Sequence, residues 1–222
     1  MTFDINVLIG QWPAILSGAG VTIMIWVLGT IAAAVMGFLL AIARQYGGMV
    51  VDKILGVIVA VLRGTPFLIQ IFLVYYGGPF IGLELDPLPA GLIGISIYGA
   101  AYFSEIFRSG FQAVPKGHIE AGECVGLTRG QIIRRILLPE MTMLVLPPSV
   151  NMVVILMKET AVLSIITVPE LTATLSAIGS QQYAFVEALS ALALFYWVLV
   201  EVTGWLGNLV ETKLSRFRFF NA

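Results

Sequence analysis

The chain is poor in charge, in cysteine and in histidine. Asp, Glu, Lys and Arg make up only 11% of its 222 residues, against about 25% in an ordinary globular domain. Water is therefore not the solvent that most of this surface meets. The one cysteine, Cys124, excludes an internal disulfide, and with His118 as the one histidine no Cys/His cluster has metal-ligand spacing. Both are read as structural or surface groups. No Gly-x-x-x-x-Gly-Lys-Ser/Thr stretch occurs, which excludes P-loop nucleotide hydrolysis by this chain alone. No catalytic constellation stands out either, so the chain is not read as an enzyme. Near Met1 there is no basic region followed by a small-residue cleavage site, so the first apolar segment is expected to stay.

What is abundant is apolar surface: 59% of residues, with a mean hydropathy of +0.96. Crossing ~30 Å of hydrocarbon takes roughly 20 mainly apolar residues per helix, because backbone polar groups must pair internally there. Apolar density picks out five such stretches, at about 14–43, 54–82, 88–112, 139–165 and 184–209. The expected fold is an all-α integral membrane protein forming one domain over 1–222. Trp12 and Pro13 stand where an interface is expected, just before the first stretch.

The formal net charge of −1 says little, whereas the distribution of charge says much. Arg44 and Lys53 follow the first stretch, Lys116, Arg129, Arg134 and Arg135 the third, and Lys213, Arg216 and Arg218 the fifth. The N-terminal tail, residues 82–89 and residues 168–183 carry no lysine or arginine. The positive-inside rule then predicts an N-terminus outside and a C-terminus in the cytoplasm, in agreement with an odd number of spans.

Residues 114–139 form the longest polar stretch and read as a hairpin of two short helices. The first runs from about Ile119 to Val125, Gly126 supplies the turn, and Thr128 N-caps the second with Gln131 completing a capping box. On the second helix Ile132, Ile133, Ile136 and Leu137 share a face, and Arg129, Gln131 and Arg134 point elsewhere.

Glu120-Ala121-Gly122, three residues, Gly126, nine residues and Ile136-x-Leu138-Pro139 resemble the EAA loop of bacterial ABC importer permeases. Arg63-Gly-Thr-Pro66, Gln70 to Tyr76, Glu105-Ile-Phe-Arg108, Val114-Pro-Lys-Gly117 and Lys158-Glu-Thr160 are similar to the subfamily that imports polar amino acids. The resemblance implies a type I importer fold of five spans in the bacterial inner membrane, with a coupling hairpin between spans three and four. It implies a second permease subunit, identical or homologous, and two cytoplasmic ATPase subunits that carry ATP and Mg2+. It also implies an external substrate-binding protein, a polar or charged amino-acid substrate, no cofactor on this chain and no nucleic acid. Glu120, Ala121, Gly122, Gly126, Leu138 and Pro139 carry the ATPase-coupling motif. Two positions depart from the pattern: Gly122 replaces an alanine and should loosen the short helix by ~1 kcal/mol, and Glu140 stands where a glutamine is common.

Candidate substrate-binding residues are polar groups within apolar stretches, where an ionised side chain costs at least ~2.5 kcal/mol and commonly faces a bundle interior or cavity. Lys158 and Glu159 qualify; pointing ~100° apart, they cannot face one target on a regular helix, so each needs a different partner, one the substrate and the other the bundle. Asn151 lies two turns before Glu159 and is expected on roughly its side. A structural ion pair, or a charge near the outer surface, accounts for the same residues without a ligand. At Gly64-Thr65-Pro66 two readings stand: a broken span with Thr65 as N-cap and Pro66 at the first helical position, or an interfacial helix over 50–62 followed by the true span. Glu105 and Arg108 are expected to pair on one helix face, and Pro147-Pro148 to disrupt span four. An ion-coupled carrier or channel also explains five spans with buried charge, but would commonly show paired broken repeats, which are not found.

Overall fold

The structure is a computed structural model that describes residues 3–219, with side chains described as far as residue 213. The side chains of Arg216 and Arg218, counted above among the positive flanks, lie outside the described residues. Every regular element among the described residues is a helix: α1 (Asn6–Gly10), α2 (Trp12–Tyr46), α3 (Gly48–Gly64), α4 (Phe67–Gly77), α5 (Pro87–Ala113), α6 (Lys116–Cys124), α7 (Arg129–Ile132), α8 (Leu138–Glu159), α9 (Leu171–Gln181) and α10 (Phe185–Phe219). A 3-10 turn, Gly78–Ile81, extends α4, a π turn, Ile133–Leu137, joins α7 to α8, and a 3-10 stretch, Thr160–Ile166, extends α8.

Among the described residues, four helical segments are long and apolar enough to cross a membrane: Trp12–Tyr46, Pro87–Ala113, Arg129–Ile166 and Phe185–Lys213. The second expected span is not one straight helix. Its halves, Gly48–Gly64 and Phe67–Ile81, bend by 104° at Thr65–Pro66.

Close approaches give the relative directions of the helices. Gly29 of α2 meets Ile95 of α5, Ala33 meets Gly99 and Gly37 meets Phe103, so these two helices run parallel. At Gly37 a Cβ would lie 2.5 Å from Phe103 Cβ and 2.9 Å from the Ala100 carbonyl, so only glycine allows this separation. Lipid offers helices no hydrophobic incentive to associate, and small residues that bring backbones together supply van der Waals contact instead. Along α8, Val145 meets Gly110, Leu156 meets Gly99 and Leu163 meets Gly91, so α8 runs antiparallel to α5. α4 is antiparallel to α5 as well, since the Phe67 ring meets that of Tyr98 at a tilt and Ile71 packs on Gly94. α10 is antiparallel to α8, with Gly207 against Val150 and Tyr196 against Thr160. Thus α2, α5 and α10 share one direction and α4 and α8 the other. The core lies between them, with Ile25, Phe67, Ile71, Ile95, Phe103, Leu156 and Leu163 buried.

The end remote from the hairpin is closed by α9, whose first turn is capped by Glu170. This carboxylate accepts from the amides of Thr172 (2.8 Å) and Ala173 (2.7 Å), while the Leu171 amide donates to the Thr22 hydroxyl at 3.0 Å. Burial pushes the Glu170 carboxyl above its ordinary range, against the pull of those hydrogen bonds.

Candidate functional site

The hairpin begins where Pro115 holds Val114 extended and ends α5. α6 turns one side toward the bundle: Gly122 is buried, and a Cβ there would lie 2.9 Å from Ile136 Cδ1 and 3.3 Å from Ile132 Cγ1. The glycine that departs from the motif therefore lets α6 lie close on the next helix. Glu120 and Ala121 are exposed on the opposite side, followed by Val125 at 76% exposure. The helix closes in a Schellman turn, in which the Leu127 amide donates to the Gly122 carbonyl and the Gly126 amide to the Glu123 carbonyl, both at 3.0 Å. Gly126 has φ +77°, a left-handed conformation that costs any residue with a Cβ.

The capping box forms as expected. The Gln131 amide donates to Thr128 Oγ1 (3.4 Å) and the Thr128 amide to Gln131 Oε1 (2.8 Å). The second short helix, however, is not separate: α7 continues through the π turn into α8. The reason lies at Pro139, which has no amide to donate, so the turn before it widens and the Leu138 amide reaches the Ile133 carbonyl. Leu138 and Pro139 thus belong to a continuous helix rather than to a loop end. The helix also runs on through Pro147 and Pro148, so the expected disruption is confined to the two missing donors. His118 Nδ1 lies 2.9 Å from both carboxylate oxygens of Glu140, tying α6 to the start of α8. The second departure from the motif is therefore paired with the lone histidine.

Lys158 and Glu159 lie one turn or less beyond Leu156, at the level where α8 meets Gly99 of α5 and, across it, Ala33 of α2. That level is near the middle of α2, far from either end. Lys158 is exposed on the single chain and Glu159 half-buried. Asn151 is also exposed, and seven residues bring it back to the face of Lys158 rather than to that of Glu159. Tyr98, in ring contact with Phe67 and Tyr102, lies within electrostatic range of Glu159.

Thr65 is not the N-cap of α4. Its hydroxyl donates back to the Val61 carbonyl (3.0 Å), closing α3, and accepts from Gln70 Nε2 (2.9 Å). Pro66 is the non-helical residue before α4, not its first helical position. Gln70 Nε2 also lies 2.6 Å from the Leu62 carbonyl and 3.0 Å from that of Thr65, so one amide captures the oxygens that the bend releases. The Thr65 hydroxyl is engaged within the bend, with Val61 and Gln70.

Sequence reasoning found the Glu105–Arg108 pair, which forms at 2.7 Å, but missed the cluster around it. Glu105 also pairs with Arg44, which bonds Asp52 at 3.0 Å, and Arg63 approaches Glu105 at 3.9 Å. Arg44 and Glu105 are 61 residues apart, with α3, α4 and much of α5 between them, so no local spacing announces them.

With this geometry in view, residues 33–216 match the family described as binding-protein-dependent transport system inner membrane component. The chain belongs to that family, the multi-pass permeases of ATP-binding-cassette importers. It is 32% identical over 215 residues to the probable amino-acid ABC transporter permease protein YckA of Bacillus subtilis, covering 97% of this chain and 95% of that protein. It is 33% identical over 217 residues to the glutamine transport system permease protein GlnP of Escherichia coli, covering 97% and 99%. Among solved structures, an amino acid ABC transporter with histidines matches with a TM-score of 0.89 at 29% identity, covering 96% of this chain and 100% of that one. The inward-facing MetNI methionine ABC transporter matches with a TM-score of 0.73 at 19% identity over 92% of this chain, a likeness of fold.

Proposed function

We infer that this chain is the translocating subunit of an ATP-driven importer for a polar or charged amino acid, acting as one transmembrane domain. The observation that carries the reading is a single structural unit. The exposed Glu120–Ala121 face belongs to a capped hairpin that continues, without a break, into the helix bearing Lys158 and Glu159 at mid-depth. Glu120, Ala121 and Gly126, supported by Gly122, Leu138 and Pro139, form the surface and frame that a separate ATPase subunit grips. ATP and Mg2+ belong to that subunit.

Two such permeases, identical or homologous, flank the pathway, two ATPases sit beneath them, and an external binding protein delivers substrate. The hairpin faces the cytoplasm and the N-terminus the outside. In support, Lys53, Lys116, Arg129, Arg134 and Arg135 cluster at the hairpin end, whereas Asp4, Glu84, Asp86 and Glu187 stand at the other. Glu159 accepts from the ammonium or the basic side chain of the amino acid, while Lys158, ~100° around the helix with Asn151 on its face, turns to a different partner. Thr65 serves the bend and not the ligand.

The test is co-purification with ATPase subunits and reconstitution in liposomes with binding protein and amino acid. Hydrolysis stimulated by loaded binding protein, and abolished uptake with ATPase activity retained in Glu159→Gln, are expected. Uptake driven by a proton or sodium gradient without ATP would instead establish an ion-coupled carrier.

A further inference from the structure

One side of α8 has the wrong chemistry for lipid. Leu144, Pro148, Asn151, Ile155 and Lys158, spaced i, i+4, i+7, i+11 and i+14, share a side of this helix. Leu144, Pro148, Asn151 and Lys158 are exposed and Ile155 is half-buried. The opposite side is closed, with Val145 against Gly110 of α5 and Leu156 against Gly99. Pro147 and Pro148 also remove the amides that a helix would offer to the carbonyls of Met143 and Leu144, four residues back.

An ammonium at the middle of a bilayer turns to protein or to a water-filled cavity rather than to acyl chains. Lys158 finds no such partner in its own chain: among the described residues neither it nor Glu159 forms an ion pair. Glu159 stands half-buried ~100° further round the helix, so the two charges flank the exposed side instead of meeting each other. A side bordered by one cation and one anion at the same level is complementary to itself. A two-fold axis along the membrane normal leaves every residue at its own depth, and it sets the Lys158 flank of one α8 against the Glu159 flank of the other. The rise between the two residues is about 1.5 Å, well within the reach of a lysine stem.

We propose that this side of α8 is the contact between two copies of the chain, each Lys158 pairing with the partner's Glu159. The proposal rests on the importer reading above and adds that the partner permease is identical and that each amino-acid site is shared between the copies. While a site is empty, the partner's Lys158 neutralises Glu159. An arriving ammonium or basic side chain takes over that position. Asn151, whose amide both donates and accepts, faces its own copy across the axis.

The test uses the full-length chain in liposomes, with Cys124→Ser as background. Oxidative crosslinking of Asn151→Cys and of Ile155→Cys is expected to give covalent dimers, and that of Leu39→Cys, exposed on α2, is not. Two differently tagged chains, both carrying Asn151→Cys, then reverse one charge each, Lys158→Glu in one and Glu159→Lys in the other. Alone, each variant sets like charges against like across the axis, and its crosslinked dimer should be lost. Together, each supplies the charge that the other needs, and the mixed dimer should return. No contact within one chain explains such a recovery, because each variant still carries two like charges on neighbouring residues. Absence of crosslinks at Asn151→Cys and Ile155→Cys overturns the proposal, as do equal crosslinking at Leu39→Cys, undiminished dimers of either charge variant alone, and a mixed pair that yields none. Co-purification with ATPase subunits is read on the same preparations. ATPase binding with stimulated hydrolysis but no crosslinks overturns this interface and leaves the importer reading standing, whereas crosslinks without ATPase binding support the interface and overturn the importer reading.

Discussion

At Thr65–Pro66 and at Val125–Leu127 the chain turns sharply between helices, and the two corners dispose of their backbone groups differently. At the hairpin corner the backbone bonds to itself, through a Schellman turn made possible by the positive φ of Gly126. At the α3–α4 corner no glycine adopts a positive φ, and the freed carbonyls of Val61, Leu62 and Thr65 are taken by the side chains of Thr65 and Gln70. Water can complete what is left over at an exposed corner, whereas beside hydrocarbon each polar group needs a protein partner. The inner corner is therefore built from side chains and the outer one from backbone conformation.

Substitutions can break this contrast, beginning with the cluster that holds the inner corner. Glu105→Leu strips three arginines of one partner in a mostly buried setting and is expected to cost on the order of 3 kcal/mol, read as a large loss of thermal stability in detergent. Gln70→Leu leaves carbonyls at the inner corner unpaired and should cost about 2 kcal/mol, read by the same melting experiment. At the hairpin, Gly126→Ala forces a side chain into a left-handed conformation, at about 1 to 2 kcal/mol. Its signature is weakened co-purification with ATPase subunits more than lowered melting of the membrane bundle. Thr128→Ala removes one half of the capping box, at about 1 kcal/mol, with faster amide exchange at residues 129–132. Gly122→Ala gains helix propensity but crowds the flexible end of Ile136, so the stability change should stay within about 1 kcal/mol of zero. A loss at Gln70→Leu no larger than at Thr128→Ala would remove the distinction between the corners.

Much of the bundle was legible because a bilayer leaves so few options: apolar stretches and the capping box of Thr128 and Gln131 reappear in the structure. The 104° bend between α3 and α4 was not settled, because the apolar residues of α3 are numerous enough to read as half a straight span. The spacing of Asp52, Gly56, Val59 and Arg63 was the usable signal, and it acquires meaning only once Arg44 and Glu105 are known to lie opposite. The merging of the second hairpin helix into α8 escaped because Pro139 reads as a boundary, whereas the π turn absorbs its missing donor. Thr65 looked like an N-cap by residue type and position, yet its hydroxyl found the nearer carbonyl of Val61. The mid-depth level of Lys158 and Glu159 required helix registers, which depend on where glycines such as Gly99 and Gly110 let backbones approach.

The tightest of those approaches carries a mechanical consequence. At Gly110 a Cβ would lie 2.2 Å from Val145, and Val145 stands near the centre of the unbroken helical run from Arg129 to Glu159. At a rise of about 1.5 Å per residue the run forms a lever with arms of roughly 24 Å and 21 Å on either side of this fulcrum. With arms so nearly equal, a tilt of about 10° moves the two ends by about 4 Å each in opposite directions. Were the run to pivot there as a rigid body, a push on the hairpin would return at Glu159 at nearly the same size and with its sign reversed.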